Sequence, residues 1–380
     1  MENLSDSVLI EYEDFTTYRH NLTKPPAHSY FYFPQDIEII ELNKTNPKKQ
    51  LRRIFQGGVK YNDFELENLS KFKEELKKRD LSLPSYWEEC NTYRFLQASG
   101  YDHSKTILLI LEHLEWRKIN FPVILTDKIK QILNSGFIYI HGRDNRFRPL
   151  IVFDPNIFSL NKKKFVTEDW ILSLVFFFEY VTKNCFIPGQ IENWNIICDV
   201  SKVSVLFLPS ELKIILNTLQ CNYRCRLYVA IVMNVSFLMK SIWNMIKMML
   251  DESTERKVKL LNNIDDVNKE LFKFINKSQL EKRFGGEAEN LERKFFPPFF
   301  PSNEYFTEND DLAEILVNEE KYVEIIRNND KLVPSPYVKL DVKGNEVALK
   351  NEIMNDSVIE LDGKFDQCNL YFFYIFSVDL

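Results

Sequence analysis

The residues of this chain that could carry chemistry are scattered. Five histidines (His20, His28, His103, His113 and His141) show no H-E-x-x-H spacing. No G-x-S-x-G elbow and no phosphate-cradling glycine loop occurs among the ten glycines. Six cysteines (Cys90, Cys185, Cys198, Cys221, Cys225 and Cys368) form no C-x-x-C pair. Cys221 and Cys225 flank a three-residue spacer without a histidine nearby to complete a metal set. Asp199 is better placed, at the end of the apolar run NIICD, because α/β folds bind ligands at strand ends. A single carboxylate without a neighbouring base is more often a loop-fixing acceptor. We therefore expect no catalytic residue, no metal and no cofactor, and free thiols in a reducing compartment.

Apolar surface is what the chain holds in quantity. In SFLMKSIWNMIKMMLD, residues 236–251, four of the seven methionines accompany Phe237, Leu238, Ile242, Trp243, Ile246 and Leu250. Its polar residues, Lys240, Asn244, Lys247 and Asp251, follow steps of 4, 3 and 4, one narrow stripe of a helix. Two explanations fit a helix that is apolar nearly all round. It packs between other elements in a core, or it is a movable wall with apolar ligand on one side and bilayer on the other. Methionine suits the wall, being flexible and polarizable enough to repack against varied chains. Trp243 would sit at headgroup level, and Lys240 and Lys247 would reach water or phosphate. The residues alone leave both explanations open, with the core the commoner.

The 380 residues, 45% hydrophobic and 27% charged, can build a substantial core. A net charge of −6 argues against a nucleic-acid binder, so the basic clusters (Lys48, Lys49, Arg52 and Arg53; Lys71 to Arg79; Lys162 to Lys164) are solvated faces. The acidic opening MENLSDSVLIEYEDF is unlike a signal peptide, and no run reaches the ~20 apolar residues of a membrane span. A cytoplasmic protein is expected.

The elements come in two rhythms. Helices are predicted over FELENLSKFKEELKKR, WEECNTYRFLQAS and DHSKTILLILEHLEWRK, the last behind an Asp102 cap. From GFIYIHG onward strands alternate with helices: RPLIVFDP, then EDWILSLVFFFEYVTKN, WNIICDV, PSELKIILNTLQ, RLYVAIVMN, the methionine-rich peptide, RKVKLLNN and DDVNKELFKFI. The strands are continuous apolar runs, as expected of a mainly parallel α/β sheet covered on both faces. Residues 1–62 are expected to be an arm, 63–120 a helical module, 121–290 the α/β domain, 291–334 a linker with a helix, and 335–380 a β-leaning extension.

In this order the residues resemble the CRAL-TRIO lipid-binding family, the class of the secretory-pathway phosphatidylinositol/phosphatidylcholine transfer proteins. TYRFLQASGYD followed by LEHLEWRK is similar to that family's N-terminal helical module at Arg94, Phe95, Leu96, Asp102, Trp116 and Arg117. GRDNRFRPLIVF matches its strand entry at Asp144, Arg148 and Pro149, with Phe147 where glycine is usual. NIICDVSKVSV matches at Ile197, Asp199 and Ser204, NYRCRLYVAIVMNV parallels the next strand, and RFGG at 283–286 matches the closing motif.

The resemblance implies a parallel sheet whose flanking helices enclose a hydrophobic pocket, with residues 236–251 as its gating helix. It favours the movable wall. Hiding two sixteen-carbon tails from water is worth on the order of 25 kcal/mol at about 0.8 kcal/mol per CH₂, so enclosure must be nearly complete. Ligand contacts are expected from Phe177, Phe178, Val181, Trp194, Ile196, Phe237, Ile242, Met245, Ile246 and Met249. Trp243, Lys240 and Lys247 are expected to touch the membrane. Headgroup candidates are Arg224, Arg226 and Lys247. The family's basic pair falls on Ser99 and Gly100, and its glutamate on Cys225. The expected partner is thus a phospholipid or other hydrophobic molecule, phosphatidylinositol being typical of the family, with transient membrane contact. A lipid-sensing adaptor that docks partners through its extensions is the second expectation, and a lipid hydrolase the least favoured.

Overall fold

The computed structural model describes residues 34–296 apart from 162, 202 and 204–208, together with residues 25 and 29 and the dipeptides Lys339–Leu340 and Glu346–Val347. These two dipeptides pair antiparallel. The C-terminal run NLYFFYIFSVDL, whose apolar sequence makes it a further strand candidate, and the helix expected within 291–334 lie outside the described residues.

Three helices form the N-terminal module: α1 (Asp63–Lys78), α2 (Glu89–Ala98) and α3 (His103–Asn120). Asn62 and Glu65 cap α1 reciprocally, and the Asp102 carboxylate accepts from Lys105 N–H at the start of α3. Leu69, Phe72 and Leu76 of α1 meet Tyr93, Phe95 and Leu96 of α2 and Ile107 and Ile110 of α3 in one core.

The larger unit follows α4 (Asp127–Leu133). Its strands are β1 (Ile138–Arg143), β2 (Pro149–Phe153), β3 (Trp194–Asp199), β4 (Leu227–Met233) and β5 (Val258–Leu261). They lie side by side in chain order, β1 antiparallel to β2 and the other pairs parallel. α5 (Pro155–Asn161) and α6 (Thr167–Asn184) connect β2 to β3, and α7 (Pro209–Asn222) connects β3 to β4. α8 (Phe237–Ile246), a 3₁₀ turn (Lys247–Met249) and the single-turn α9 (Glu252–Glu255) connect β4 to β5. When spatial order equals chain order, right-handed crossovers all fall on one side of the sheet.

The side chains divide accordingly. Tyr139, Leu150, Val152, Ile197, Val229, Ile231 and Met233 face a closed core with α10 (Ile264–Leu271) and the segment through Phe295. Ile138, Ile140, Ile151 and Trp194 face the crossover helices. The closing RFGG motif belongs to the first face. Phe284 is buried there, Gly285 has φ +88°, and a Cβ on Gly286 would stand 1.9 Å from the Leu280 carbonyl oxygen.

The module is riveted to the sheet unit by one buried carboxylate. Glu192 accepts from the backbone N–H groups of Phe55, Gln56 and Gly189 at 3.1, 2.8 and 3.0 Å, and pairs with Arg94. The mainly parallel architecture is as the apolar runs indicated, with two differences. α4 and α5 form helices that the strand-to-strand reading of the sequence passed over. The methionine-rich helix is also shorter than its peptide, since the α-helix ends at Ile246 and tightens into a 3₁₀ turn.

Candidate functional site

Between the crossover face of the sheet and helices α6, α7 and α8 lies a cavity of about 230 Å³. Its floor comes from alternate residues of the strands: Ile151 and Phe153, Ile196 and Cys198, Ala230 and Val232, Val258 and Leu260. Leu174 and Phe178 of α6 and Ile215, Leu216 and Leu219 of α7 form the walls. Met239, Ile242, Trp243 and Ile246 of α8, with Leu250 beyond it, close the top. α8 starts from the Ser236 cap, whose hydroxyl accepts from Met239 N–H at 3.3 Å.

The two ends of the cavity differ in chemistry. Pro155, Val200, Val203 and Val235 mark the end at the C-terminal edge of the parallel strands. At the opposite edge Gln220, Arg224, Cys225, Asp251, Ser253, Thr254 and Lys257 gather. Arg224 sits in the turn before β4 and Lys257 in the residue before β5, so register places them on adjacent strands. They are 8% and 9% exposed. The Arg224 guanidinium lies 5.1 Å from the centre of the Phe95 ring, and its Nε has no hydrogen-bond partner among the described residues. The Lys257 ammonium has no hydrogen-bond or ion-pair partner among them either. Burial holds its pKa below the ordinary lysine value. Asp251 is the carboxylate at this end, and it is occupied in capping α9, accepting from Thr254 N–H and Oγ1 and from Ser253 Oγ. Two buried cations with one spoken-for carboxylate make this end suited to an anion.

Of the residues expected to touch ligand, Phe178, Trp194, Ile196, Ile242 and Ile246 line the cavity. Phe177 and Val181 instead lie in the solid core, where the face of α6 that carries them is covered by protein on every side. Phe237 and Met245 are exposed, because they fall on the face of α8 away from the sheet, and Met249 is half-buried in the 3₁₀ turn outside the lining. Trp243, expected at the membrane, lines the cavity, while Lys240 and Lys247 are exposed.

Arg224 is the headgroup candidate that reaches the cavity. Arg226 is held elsewhere: its Nη1 donates to the Glu192 carbonyl at 3.2 Å and its guanidinium lies against Phe186. Lys247 is turned to solvent. Lys257 was missed, because it hides in the charged run ERKVK just before an edge strand, where a lysine ordinarily points to water.

The remaining chemistry-bearing residues have structural partners. Asp199 accepts from Ser201 N–H and Asn234 Nδ2, both at 2.9 Å, the loop-fixing role expected of a lone carboxylate. His113 Nδ1 lies 2.9 Å from Asn222 Oδ1, and burial pushes its pKa down to about 4. Asp144 gathers Arg148 and Asn195 around a turn in which Phe147 adopts φ +59°, the backbone that glycine would have eased.

Residues 133–286 match the model of the CRAL/TRIO domain. A CRAL-TRIO domain-containing protein of Schizosaccharomyces pombe is 27% identical over 261 residues, 66% of this chain and 24% of that protein. A phosphatidylinositol/phosphatidylcholine transfer protein of Arabidopsis thaliana is 27% identical over 237 residues, 57% of this chain and 40% of that protein. The chain thus matches less than half the length of either relative. A solved structure, that of Sfh5, superposes with a TM-score of 0.47 at 15% identity, covering 71% of this chain and all of that one.

Proposed function

We propose, from the match of residues 133–286 to the CRAL/TRIO domain, that this chain is a non-enzymatic lipid carrier. It takes one phospholipid, or a comparable amphiphile, into the cavity beneath α8, releases it when α8 swings outward, and works from the cytoplasm through transient contact with membranes. One observation carries this reading: a cavity apolar along most of its length ends in two buried cations, the pattern of an acyl chain leading to a phosphate.

The matched segment of a phosphatidylinositol/phosphatidylcholine transfer protein supports the ligand class. Within that class Arg224 and Lys257 favour a headgroup with net negative charge. A quaternary ammonium would meet like charge at this end, whereas a phosphoinositol brings an anion and hydroxyls that Gln220, Ser253 and Thr254 are placed to receive. Among the described residues, no other part of the cavity lining offers paired cations.

The test is mass spectrometry of organic extracts from protein purified without detergent, followed by transfer of labelled lipids between vesicles. An anionic phospholipid at near-equimolar occupancy, with transfer above the vesicle-only rate, is the expected result. Extracts without lipid and no transfer would overturn the reading. Binding without transfer would leave the pocket and remove the carrier.

A further inference from the structure

Exposed apolar side chains lie near the sheet edge where α8 begins. Because β2, β3 and β4 are parallel, their C-terminal ends share one edge of the sheet. There β2 hands the chain to α5 and to the loop that starts α6, and β4 hands it to α8. With adjacent strands about 4.8 Å apart, the two departures are separated by roughly 10 Å. Both are greasy. Phe237 is 87% exposed, Leu160 72% and Val166 59%.

The loop between α5 and α6 is also basic. Lys163 and Lys164 are exposed, and neither has a carboxylate partner among the described residues. The Lys164 ammonium lies 5.1 Å from the Phe165 ring centre. Of the two acids in the first turn of α6, Asp169 is engaged by Lys128 at 3.4 Å and Glu168 is exposed. A chain of net charge −6 is repelled as a whole by an anionic surface, so a local basic patch flanked by apolar side chains sets the orientation in which it can approach one.

We propose that Leu160, Lys163, Lys164 and Val166 form a membrane foot. Leu160 and Val166 enter the headgroup layer of an anionic bilayer beside Phe237 while Lys163 and Lys164 engage its phosphates, which turns the end of the cavity under α8 toward the membrane. This rests on the carrier reading for its purpose, though its geometry is independent of what fills the cavity.

The test uses the full chain with phosphatidylcholine vesicles, with and without phosphatidylserine, and the variants K163Q/K164Q and L160S/V166S. Removing two lysines near an anionic surface should lower partitioning onto the phosphatidylserine vesicles by about thirtyfold and leave the phosphatidylcholine vesicles unaffected. L160S/V166S should weaken binding to both. All four side chains are exposed, so melting temperature and the amount of lipid in extracts should stay at the parent values. Parent-like vesicle binding by both variants would overturn the foot and point to an acidic protein on this patch. Lipid-free extracts combined with loop-dependent vesicle binding would instead overturn the carrier and leave the foot standing.

Discussion

Helices α6 and α8 cover the same face of the same sheet, and both are apolar around most of their circumference. Their environments are opposite. Nine residues of α6 are buried, from Trp170 to Val181. None of the described side chains of α8 is. The difference lies behind the helices. α6 is backed by Ile129, Ile132 and Leu133 of α4 and by Phe296, whose ring meets Phe176 and Tyr180 edge-on. α8 has the cavity beneath it and Phe237, Met245 and Met248 exposed above it. An all-round apolar helix is therefore explained by a second protein layer in one case; in the other, the proposed function would put a ligand below and a bilayer above.

Truncation should separate the two most sharply. Phe177→Ala removes a ring packed in solid core and should cost about 3–5 kcal/mol in denaturant unfolding. Ile242→Ala on α8 opens space into an existing cavity and should cost about 1 kcal/mol in lipid-stripped protein, rising when lipid is restored. Equal losses at the two positions in stripped protein would break the contrast, because α8 would then be core.

The cations at the polar end sharpen it next. Lys257→Met removes a buried charge without a protein partner, so lipid-stripped protein should gain stability while affinity for an anionic phospholipid falls by about 10–100-fold, or 1.5–3 kcal/mol. Loss of both would mean that Lys257 has a structural partner. The pH dependence follows the same logic. Burial lowers the folded-state pKa of Lys257, so between that value and the ordinary 10.5 the unfolded chain binds more protons. Stability of stripped protein should rise with pH across this interval. Affinity for the anionic lipid should fall over it, since the ammonium is being lost. Arg53 and Arg256 push the group in the same direction as burial, and Asp251 and Cys225 oppose it. Lys257→Met should abolish both slopes, which parallel unfolding and transfer titrations would check.

Much of this fold was legible because each signal was local. Continuous apolar runs gave the strands, Asp102 and Pro209 marked helix starts, and strand–helix alternation gave the parallel sheet. Composition alone did not separate α8 from α6, which carries a similar composition and became core; only the family resemblance set α8 apart. Which face of each helix touches ligand depends on tertiary layers. For that reason Phe178 lines the cavity while its neighbour Phe177 does not, and Ile242 lines it while Met245 is exposed. Arg224 and Arg226 are two residues apart in one turn, yet only a carboxylate 34 residues upstream, Glu192, decides that Arg226 is occupied and Arg224 is free to face the cavity. Lys257 lacked any sequence signal that distinguishes it from the other lysines of its run.

The smallest expected effect concerns what would hold α8 shut in the proposed gate. Gln220, in the last turn of α7, donates through Nε2 to the Met249 carbonyl at 3.2 Å and accepts through Oε1 from Asp251 N–H at 3.0 Å. It therefore holds both sides of the bend at Leu250, where the 3₁₀ turn after α8 gives way to α9. The nearby Lys49–Glu252 pair is exposed at both ends and adds little. Gln220→Ala removes two hydrogen bonds to backbone groups that water can replace once the bend loosens, a change of about 1 kcal/mol. Amide exchange along residues 237–250 should then speed up about fivefold, with α6 unaffected because its bonds open only on global unfolding. Lipid transfer should accelerate by a similar factor if opening limits the rate. If α6 and α8 instead exchanged alike in the parent protein, α8 would open no more readily than the core, and neither the variant nor the gate would have anything to act on.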